Sequence, residues 1–372
     1  MTSIRPDILL FHHKTPQWHL KHKIGTHFLC DGQRYNHIPG HEHFVNKDEM
    51  GRLNRDYGLH YSDRKYCFDS WEFMPETLDL SDTEECLQFF ERMNTDADPA
   101  TIKWIKKKAR GSHNAEGVEV VTVETMQRLN RRYVQGSMCT TIHDQYIVQK
   151  YVGNPLLLDG KKFDFRVYMV IANMDPLILL YHDGFLRVSL LDFDQRSNDT
   201  MAHVTNTQLA KDMLEHNKAS EKEKEETMAK QMWSFPAFES FMVQQGKVQP
   251  GWLENYVRRV MKERMLHLTR MVYEQLLRHP GVYELFGVDF MFDEDLKLWF
   301  LEVNRSPAMQ ATTEEKGRIQ SKLTQDILEI ELTILTGVGL DEAVSRSGFQ
   351  WIFDGRKSGM GRYHGLLTPD CL

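Results

Sequence analysis

Two apolar runs that carry acidic side chains constrain the fold of this chain more than any other part of its sequence. One runs from Gly287 to Asp293, and the second runs from Leu298 to Arg305. Both are rich in the aromatic and β-branched residues that strands favour, so together they predict two neighbouring strands. Side chains alternate along a strand, so Glu302 and Asn304 should share one face, which Asp289 can join from the neighbouring strand.

The side chains of Asp289, Glu302 and Asn304 predict a magnesium site. Carboxylate and amide oxygens are hard ligands, and Mg2+ usually completes its shell with water and substrate phosphates. The alternative is a hairpin whose acidic residues merely face water. Polar groups placed inside Phe, Leu and Val runs carry a desolvation cost, which favours a functional role. We therefore expect these three residues to bind a metal and a nucleotide.

Length and composition predict a soluble intracellular protein. The 372 residues exceed the usual size of one domain, so two or three subdomains around one cleft are expected, and 41% hydrophobic content supports a sizeable core. No window is apolar enough for a membrane span, and the N-terminus has no signal-peptide core. The net charge of −7 gives no general attraction to nucleic acid, so an acidic substrate must meet a local basic patch.

The cysteines and histidines indicate neither disulfides nor zinc. The cysteines are odd in number and include no Cys-x-x-Cys pair, which predicts free thiols. The histidines near the N-terminus, from His12 to His43, match no zinc spacing and have no cysteine pair beside them. The five cysteines are Cys30, Cys67, Cys86, Cys139 and Cys371.

Short apolar runs with brief connections predict several strands between Trp104 and Gly184. A first unit leads from a strand at Trp104 through a Gly, Ser and Asn loop to a strand over 117–123. A second unit contains strands over 146–152, 163–172 and 177–181, closed by a turn at His182-Asp183-Gly184. These connections indicate mixed or antiparallel sheets.

Helices are predicted on either side of these strands. Residues 82–92 form one helix, with Asp82 as N-cap and Glu85 at the capping-box position. Apolar spacing predicts a long amphipathic helix over 252–278, and a further helix is expected over 323–335. The charged segment 215–231 has almost no large apolar side chain, which predicts a mobile loop or an exposed helix of poor order.

Two segments before the acidic strands could contact a nucleotide. Lys107 leaves a strand beside a small-residue loop, where ammonium and backbone N–H groups could reach phosphate oxygens. A lysine run is as readily a solvated face, so both interpretations stay open. The backbone around Gln149, Lys150 and Tyr151 could contact an adenine edge, and its alternative is an ordinary strand.

A third segment places charges on an otherwise apolar strand. Alternation along 162–166 puts Lys162, Asp164 and Arg166 on one face, which indicates a cleft. The alternative is a cross-strand ladder of ion pairs with a structural role. Arg187 supplies a further cation after the predicted turn.

These segments, in this order, resemble the tubulin tyrosine ligase-like family, which belongs to the ATP-grasp superfamily. The similarity extends from Gln33 to about Gly337 and is densest over 148–158, 162–168, 203–206 and 284–307. It implies an α+β, ATP-grasp-like fold in which mixed or antiparallel sheets and flanking helices enclose a nucleotide cleft. We divide the chain into an N-terminal domain (1–95), a central subdomain (96–155), a C-terminal subdomain (156–340) that contains segment 215–231, and a tail (341–372).

The resemblance also implies roles for individual residues. Metal ligands would be Asp289, Glu302 and Asn304, and Arg166, Arg187 and Glu302 would be catalytic. The residues that would bind ATP or line its cleft are Lys107, Gln149, Lys150, Tyr151, Val152, Lys162, Asp164, His203, Thr205 and Asn206.

The implied activity is an ATP- and Mg2+-dependent ligase. ATP phosphorylates a carboxylate, and the amine of an amino acid attacks the acyl phosphate to form an amide. Such chemistry needs charge neutralisation and positioning more than a side-chain nucleophile. The expected acceptor is a glutamate in the acidic C-terminal tail of tubulin, and the expected amino acid is glutamate. Glycine or tyrosine, and a protein acceptor other than tubulin, stay open.

A non-catalytic module that docks on microtubules is the competing class. The metal triad argues against it. The Lys107-Lys108 pair argues for it, because the family commonly has Lys-Pro there. The resemblance places the protein in the cytoplasm on the cytoskeleton, with the cilium or basal body as options. No long basic extension follows Gly337, which favours recruitment by a partner subunit, and neither a membrane nor nucleic acid is an expected partner.

Overall fold

The structure is a computed structural model of the chain, and it describes most of the sequence between residues 32 and 366. Asn206, Cys30, Cys67, Cys371, the 112–116 loop and the histidines before His37 lie outside the described residues. The described ranges are 8–9, 32–61, 73–94, 103–111, 117–135, 139, 145–197, 199–205, 207–216, 218–364 and 366.

The largest sheet has seven strands, and its central strands are antiparallel. Its strand order is β10-β9-β8-β11-β12, with β7 added to β8 and β13 added to β9. Its strands are β7 (Leu157–Leu158), β8 (Lys161–Met174), β9 (Leu177–Asp192), β10 (Met232–Trp233), β11 (Glu284–Phe292), β12 (Leu298–Arg305) and β13 (Phe349–Asp354).

A second sheet of four antiparallel strands has the order β3-β6-β4-β5, and two short parallel strands pair near the N-terminus. The predicted strand over 117–123 is shorter than expected, because Thr122 caps a helix that begins at Val123. These strands are β1 (Ile8–Leu9), β2 (Arg34–Tyr35), β3 (Thr77–Asp79), β4 (Trp104–Lys108), β5 (Glu119–Val120) and β6 (Tyr146–Lys150).

Helices flank both sheets, and the predicted α+β class is confirmed. None of the described helices combines the length and apolar character that crossing a membrane requires. The α-helices are α1 (Glu42–Val45), α2 (Lys47–Tyr61), α3 (Thr83–Asn94), α4 (Val123–Asn130), α5 (Thr207–His216), α6 (Glu221–Lys230), α7 (Phe235–Gln244), α8 (Arg258–Val272), α9 (Glu314–Thr336) and α10 (Leu340–Arg346).

The predicted turn at His182-Asp183-Gly184 is wrong, because β9 continues through it from Leu177 to Asp192. Glycine is needed at this point for close approach to β8. A Cβ at Gly184 would collide with the carbonyl oxygen of Arg166 on the neighbouring strand. The glycine therefore marks tight strand packing, which has the same sequence signature as a turn.

The predicted helices are present with modified ends. Asp82 caps α3, accepting a hydrogen bond from the N–H of Glu85 at 2.9 Å, but the Glu85 carboxylate binds the N–H of Asp79 at 2.6 Å instead of completing a capping box. The 252–278 stretch forms a π-helical turn over Leu253–Val257, then α8. Of the two alternatives for 215–231, an exposed helix is found over Glu221–Lys230, where Ser220 and Glu223 form a capping box.

The two faces of the large sheet have different coverings. Phe163 and Phe165 on β8 pack in the main core, where α7 and α8 cover the sheet. On the other face, Tyr168 and Val170 pack against α9 and α10. By alternation, Lys162, Asp164 and Arg166 share that second face, and α9 begins beyond them. An uncovered polar region therefore lies on the sheet next to the first turn of α9.

The prediction that the cysteines are free thiols is wrong for one pair. Cys86 on α3 and Cys139 form a disulfide with Cα atoms 6.0 Å apart, and both residues are buried. Sequence spacing concealed this pair, because the two residues are brought together only when α3 packs beside the segment after α4. The disulfide lies in the hydrophobic core of the smaller sheet, together with Phe89, Trp104 and Tyr133.

The predicted domain boundaries stay a prediction, and the hydrophobic cores show how the segments pack. Tyr35 and Phe44, from the first 95 residues, belong to the core of the large sheet together with Phe286. Leu78 and Phe89 belong to the core of the small sheet. The segment before residue 95 therefore contributes to both cores.

Candidate functional site

The candidate site lies where four neighbouring strands of the large sheet place charged residues in register. Asp164 on β8 lies opposite Arg187 on β9. Arg166 lies opposite Asp289 on β11, which in turn lies opposite Glu302 on β12. These residues thus form two adjacent rows across the sheet, and the second row joins Arg166 to Asp289, 123 positions later in the sequence.

Asp289 is bound by two arginines at once. Its carboxylate accepts hydrogen bonds from Arg166 Nε at 2.5 Å and Arg166 Nη2 at 2.9 Å, and from Arg187 Nη2 at 2.8 Å. Burial alone would raise the pKa of Asp289, but the two guanidinium groups outweigh it and hold the pKa well below its usual range. Asp289 is therefore ionised at all physiological pH values.

Asp164 occupies the neighbouring row and is bound in the same way. Arg187 donates to its two oxygens from Nε and Nη2, each at 2.7 Å, and the hydroxyl of Thr205 donates to Oδ2. Both carboxylates are nearly inaccessible to solvent, whereas Arg166 and Arg187 retain 13% and 14% exposure. Each arginine is thus held by carboxylates while part of its side chain stays accessible to a ligand.

Glu302 completes the acidic group from β12. Its Oε2 lies 3.2 Å from Lys47 Nζ, and its Oε1 accepts from Asn304 Nδ2 at 3.3 Å. Burial would raise the pKa of Glu302, but the ammonium groups of Lys47 and Lys107 together outweigh it, so the pKa of this carboxyl lies below its ordinary value. Asn304 also donates to Asp289 at 3.3 Å.

This donor set fits Mg2+ as a partial shell. Asp289, Glu302 and Asn304 bring two ionised carboxylates and an amide group together. Among the described residues, no group of three or more His, Cys, Asp and Glu side chains could hold a metal ion. A hard cation here would therefore depend on water and ligand phosphates for its remaining ligands, as Mg2+ commonly does.

Lys107 approaches the acidic group from the smaller sheet. Its ammonium donates to Gln149 Oε1 at 2.6 Å, and Gln149 Nε2 donates to Thr77 Oγ1 at 2.9 Å. Burial, with the like charge of Lys47 adding to it, lowers the pKa of Lys107 to about 8, although Glu302 opposes this shift. An anionic ligand would favour the protonated form of this lysine.

Lys162 forms the other cationic position beside aromatic rings. Its ammonium donates to the Tyr151 hydroxyl at 3.1 Å, and the same hydroxyl hydrogen-bonds His203 Nδ1 at 2.8 Å. The Phe193 ring is 5.9 Å from Lys162 Nζ. Burial, assisted by the charge of Lys107, lowers the pKa of Lys162 to about 7.

Two predicted residues are not brought into this cluster. Lys150 is exposed, and alternation along β6 directs its side chain away from the face that holds Gln149. The N–H groups of Lys150 and Tyr151 already donate to carbonyls of Glu76 and Lys103, so an adenine edge would need other backbone groups here. The side chain of Val152 is apolar and adds no charge or hydrogen-bonding group to the cluster, and Asn206 lies outside the described residues.

Sequence reasoning missed four residues that the structure places at the site. Lys47 pairs with Glu302, and Thr77 fixes Gln149. Lys316 is close enough to Lys211, Arg166 and Arg187 for their charges to lower its pKa. Lys47 lies in the Asn46-Lys47-Asp48 segment that supports the resemblance, so its signal was available. The others are single polar residues without a distinguishing pattern.

The arrangement suits a ligand with several negative charges. Among the described residues, Lys47, Lys107, Lys162, Arg166 and Arg187 surround Asp164, Asp289 and Glu302. The cations outnumber the carboxylates, and two of the lysines are held at lowered pKa values. A polyphosphate would relieve this imbalance, and fixed charges in a partly buried site stabilise developing negative charge without reorganisation.

Comparison with known proteins gives the same family as the sequence motifs. The chain is 28% identical to rat Protein polyglycylase TTLL10 over 273 residues, which cover 70% of this chain and 38% of the rat protein. It is 28% identical to the human Probable tubulin polyglutamylase TTLL2 over 347 residues, which cover 91% of this chain and 53% of the human protein. The matched part is thus about half or less of each relative.

A third relative is similar at lower identity. The mouse Tubulin polyglutamylase TTLL5 is 24% identical over 313 residues, which cover 81% of this chain and 21% of the mouse protein. The sequence profile of the Tubulin-tyrosine ligase family matches residues 27–337, which include the four-stranded sheet, every strand of the large sheet except β13, and every predicted site residue. This chain belongs to the tubulin-tyrosine ligase family, whose fold is ATP-grasp-like.

Proposed function

We propose that this chain is an ATP- and Mg2+-dependent ligase that joins an amino acid to a glutamate carboxylate in the acidic tail of a protein, with tubulin as the first candidate. The observation that carries the proposal is the group of three carboxylates held among five cations on one sheet face. Its relatives include polyglycylases and tubulin polyglutamylases, whose names place amino-acid ligation in this family.

Residues at one end of the site support nucleotide binding. Lys107 and Lys162 would contact phosphates, while Gln149, Tyr151 and His203 form a polar and aromatic wall beside them. Val152 and the remaining backbone groups of Lys150 would contact the base, and Asn206 would line the same cleft. When bound by Asp289, Glu302 and Asn304, Mg2+ would neutralise phosphate charge.

The reaction requires two bond exchanges. An acceptor carboxylate oxygen attacks the γ-phosphorus of ATP, which forms a C–O–P linkage and releases ADP. The amine of the incoming amino acid then attacks the acyl carbon, forms the amide, expels inorganic phosphate and loses a proton. Arg166 and Arg187 are placed to hold the transferred phosphoryl group or a substrate carboxylate, since their open edges face the site.

Glutamate is the amino acid that the charge distribution favours, because additional cations can receive its second carboxylate. Glycine and tyrosine are the alternatives. Such an activity would place the protein on the cytoskeleton in the cytoplasm, and the cilium or basal body would supply suitable microtubules. A recruiting partner subunit would supply tight attachment where the chain itself does not bind microtubules.

We expect labelled glutamate to be incorporated into purified tubulin with Mg-ATP, with ADP formed in equal amount. Glycine and tyrosine, tested in parallel, identify the amino acid if glutamate is not used. Mass spectrometry of the tubulin tails would locate the new amide. Binding to microtubules without ATP consumption or incorporation of any of the three amino acids would contradict the ligase and support the non-catalytic module.

We also expect ATP affinity to fall about tenfold between pH 7 and pH 9. The free protein holds the pKa of Lys162 at about 7, and bound phosphate would raise it, so binding takes up protons and weakens as pH rises. Two other titratable groups near Lys162 keep their charge between pH 7 and pH 9, because burial lowers the pKa of His203 and raises the pKa of Tyr151. Asp164 is paired with Arg187. Lys107 contributes in the same direction as Lys162.

Calorimetry in two buffers of different ionisation enthalpy measures this proton uptake directly. Lys162→Arg is the matched variant, because a guanidinium keeps its charge through pH 9. Its ATP affinity should vary less with pH than that of the wild type. Binding without proton uptake at pH 8 would place the phosphates away from both lysines.

A further inference from the structure

Two lysines, Lys316 and Lys211, lie beside the uncovered polar region of the large sheet and are not explained by nucleotide binding. Lys316 is in the first turn of α9, where its backbone N–H donates to the capping hydroxyl of Thr313 at 3.2 Å. Its ammonium lies 6.0 Å from the centroid of Phe185, the residue on β9 that pairs with Arg166. The helix therefore presents Lys316 at the border between the covered and uncovered parts of the sheet face.

The electrostatic surroundings of Lys316 consist of like charges. Burial, then the charges of Lys211, Arg166 and Arg187, lower its pKa to about 8. Within the part of the chain that the structure describes, neither Lys316 nor Lys211 forms an ion pair with a carboxylate, whereas both arginines do. A half-buried ammonium surrounded by cations is a position where an anion would be stabilised.

The position of Lys316 along the sheet separates it from the nucleotide end. On β8, Lys162 and Arg166 are four residues apart, which corresponds to roughly 13 Å along a strand. The aromatic and amide groups of Tyr151, His203 and Gln149 lie at the Lys162 end. Lys316 lies at the Arg166 end, in the row that contains Asp289 and Glu302, where the non-nucleotide substrates would enter.

We propose that Lys316 and Lys211 form a subsite that binds a carboxylate of the ligase substrates. The subsite would favour substrates that carry an additional carboxylate over those that do not. This inference rests on the proposed function and extends it to substrate class. The carboxylate can belong to the side chain of free glutamate or to an acidic residue beside the acceptor. Both share the chemistry of an anion bound by two ammonium groups, and separate titrations distinguish the two sources.

The test is direct binding of L-glutamate, glycine and an oligoglutamate peptide, each with and without a non-hydrolysable ATP analogue. We expect Lys316→Gln to weaken glutamate or the peptide about tenfold, with glycine and the ATP analogue unchanged. Lys211→Gln should act in the same direction, and Lys316→Arg should retain most of the affinity. Lys230→Gln, a change of the same type on exposed α6, is the matched control.

The outcomes of this test distinguish failure of the proposed subsite from failure of the proposed ligase reaction. Loss confined to glutamate assigns the subsite to the incoming amino acid, and loss confined to the peptide assigns it to the acceptor. Equal affinities of wild type and Lys316→Gln for both ligands would overturn the subsite, as would failure of the wild type to bind either one. Failure to bind the ATP analogue, with glutamate still sensitive to Lys316, would instead reject the proposed function.

Discussion

Glu302→Gln is expected to lower the turnover number of the proposed ligase reaction by about a thousandfold without unfolding the protein. Glutamine has the same shape as glutamate but no charge, so it removes the anion that faces Lys47 at 3.2 Å and one of the two carboxylates available to Mg2+. Removing one charge-stabilising group from an active site commonly costs on the order of a hundred- to a thousandfold in rate. The measurement is ADP formation with tubulin and glutamate.

The matched control is Glu342→Gln. Glu342 is an exposed residue of α10 that pairs with Arg346 at 3.1 Å, far from the charged rows, so its replacement should leave turnover and melting temperature unchanged. A second measurement separates a metal role from a structural one. ATP affinity of the wild type should fall when Mg2+ is chelated, and that of Glu302→Gln should respond less. Full activity in Glu302→Gln would remove Glu302 from the metal site.

The sequence was sufficient to predict three of the four strands that carry the charged rows, whereas the fourth, β9, was predicted to end at a turn before Arg187. The alternation of Lys162, Asp164 and Arg166 with Phe163 and Phe165 defines a charged face and a core face on one strand, and β8 has this arrangement. Alternation is a local property of extended backbone, so a single segment contains the required information. The same holds for Glu302 and Asn304 on β12.

Pairing between distant segments was harder to predict. Arg166 binds Asp289 across 123 positions, and no local pattern specifies which carboxylate an arginine will meet. For Arg166 the sequence left a ligand cleft and a cross-strand ion-pair ladder as alternatives, and the structure pairs Arg166 with Asp289. The disulfide between Cys86 and Cys139 was missed for the same reason, since tertiary packing alone brings the two residues together.

Glycine was the most misleading local signal. At Gly184 it suggested a turn, but it permits close packing against Arg166 within continuous β9. Gly287 shows a similar use at the site itself. A Cβ there would lie 3.2 Å from Arg166 Cδ and 3.1 Å from Pro307 Cβ, so glycine leaves room for the arginine side chain to reach Asp289. Steric demands of this kind become visible only when neighbouring strands are in place.

Arg166→Lys is expected to lower kcat/KM for ligation about a hundredfold. Arg166 binds both oxygens of Asp289 through Nε and Nη2, which a single ammonium cannot reproduce. The change therefore keeps the charge but releases Asp289 from one of its two arginines, and it moves the edge that would hold a phosphoryl group or carboxylate. Displacements of about 1 Å in such a site commonly cost on the order of a hundredfold in rate.

The protein contains a matched arginine that separates catalysis from stability. Arg258 on α8 binds both oxygens of Asp183, with Nε at 3.1 Å from each oxygen and Nη2 at 2.6 Å from Oδ2, and it faces the opposite side of the sheet from the charged rows. Arg258→Lys should lower the melting temperature about as much as Arg166→Lys but leave kcat/KM within about twofold. If the two variants lose activity equally, Arg166 belongs to a structural ion-pair ladder. If only Arg166→Lys loses activity, the Arg166 guanidinium contacts substrate or phosphate. Both variants remove a two-point hydrogen bond to a carboxylate, so losing that bond alone would not explain the difference.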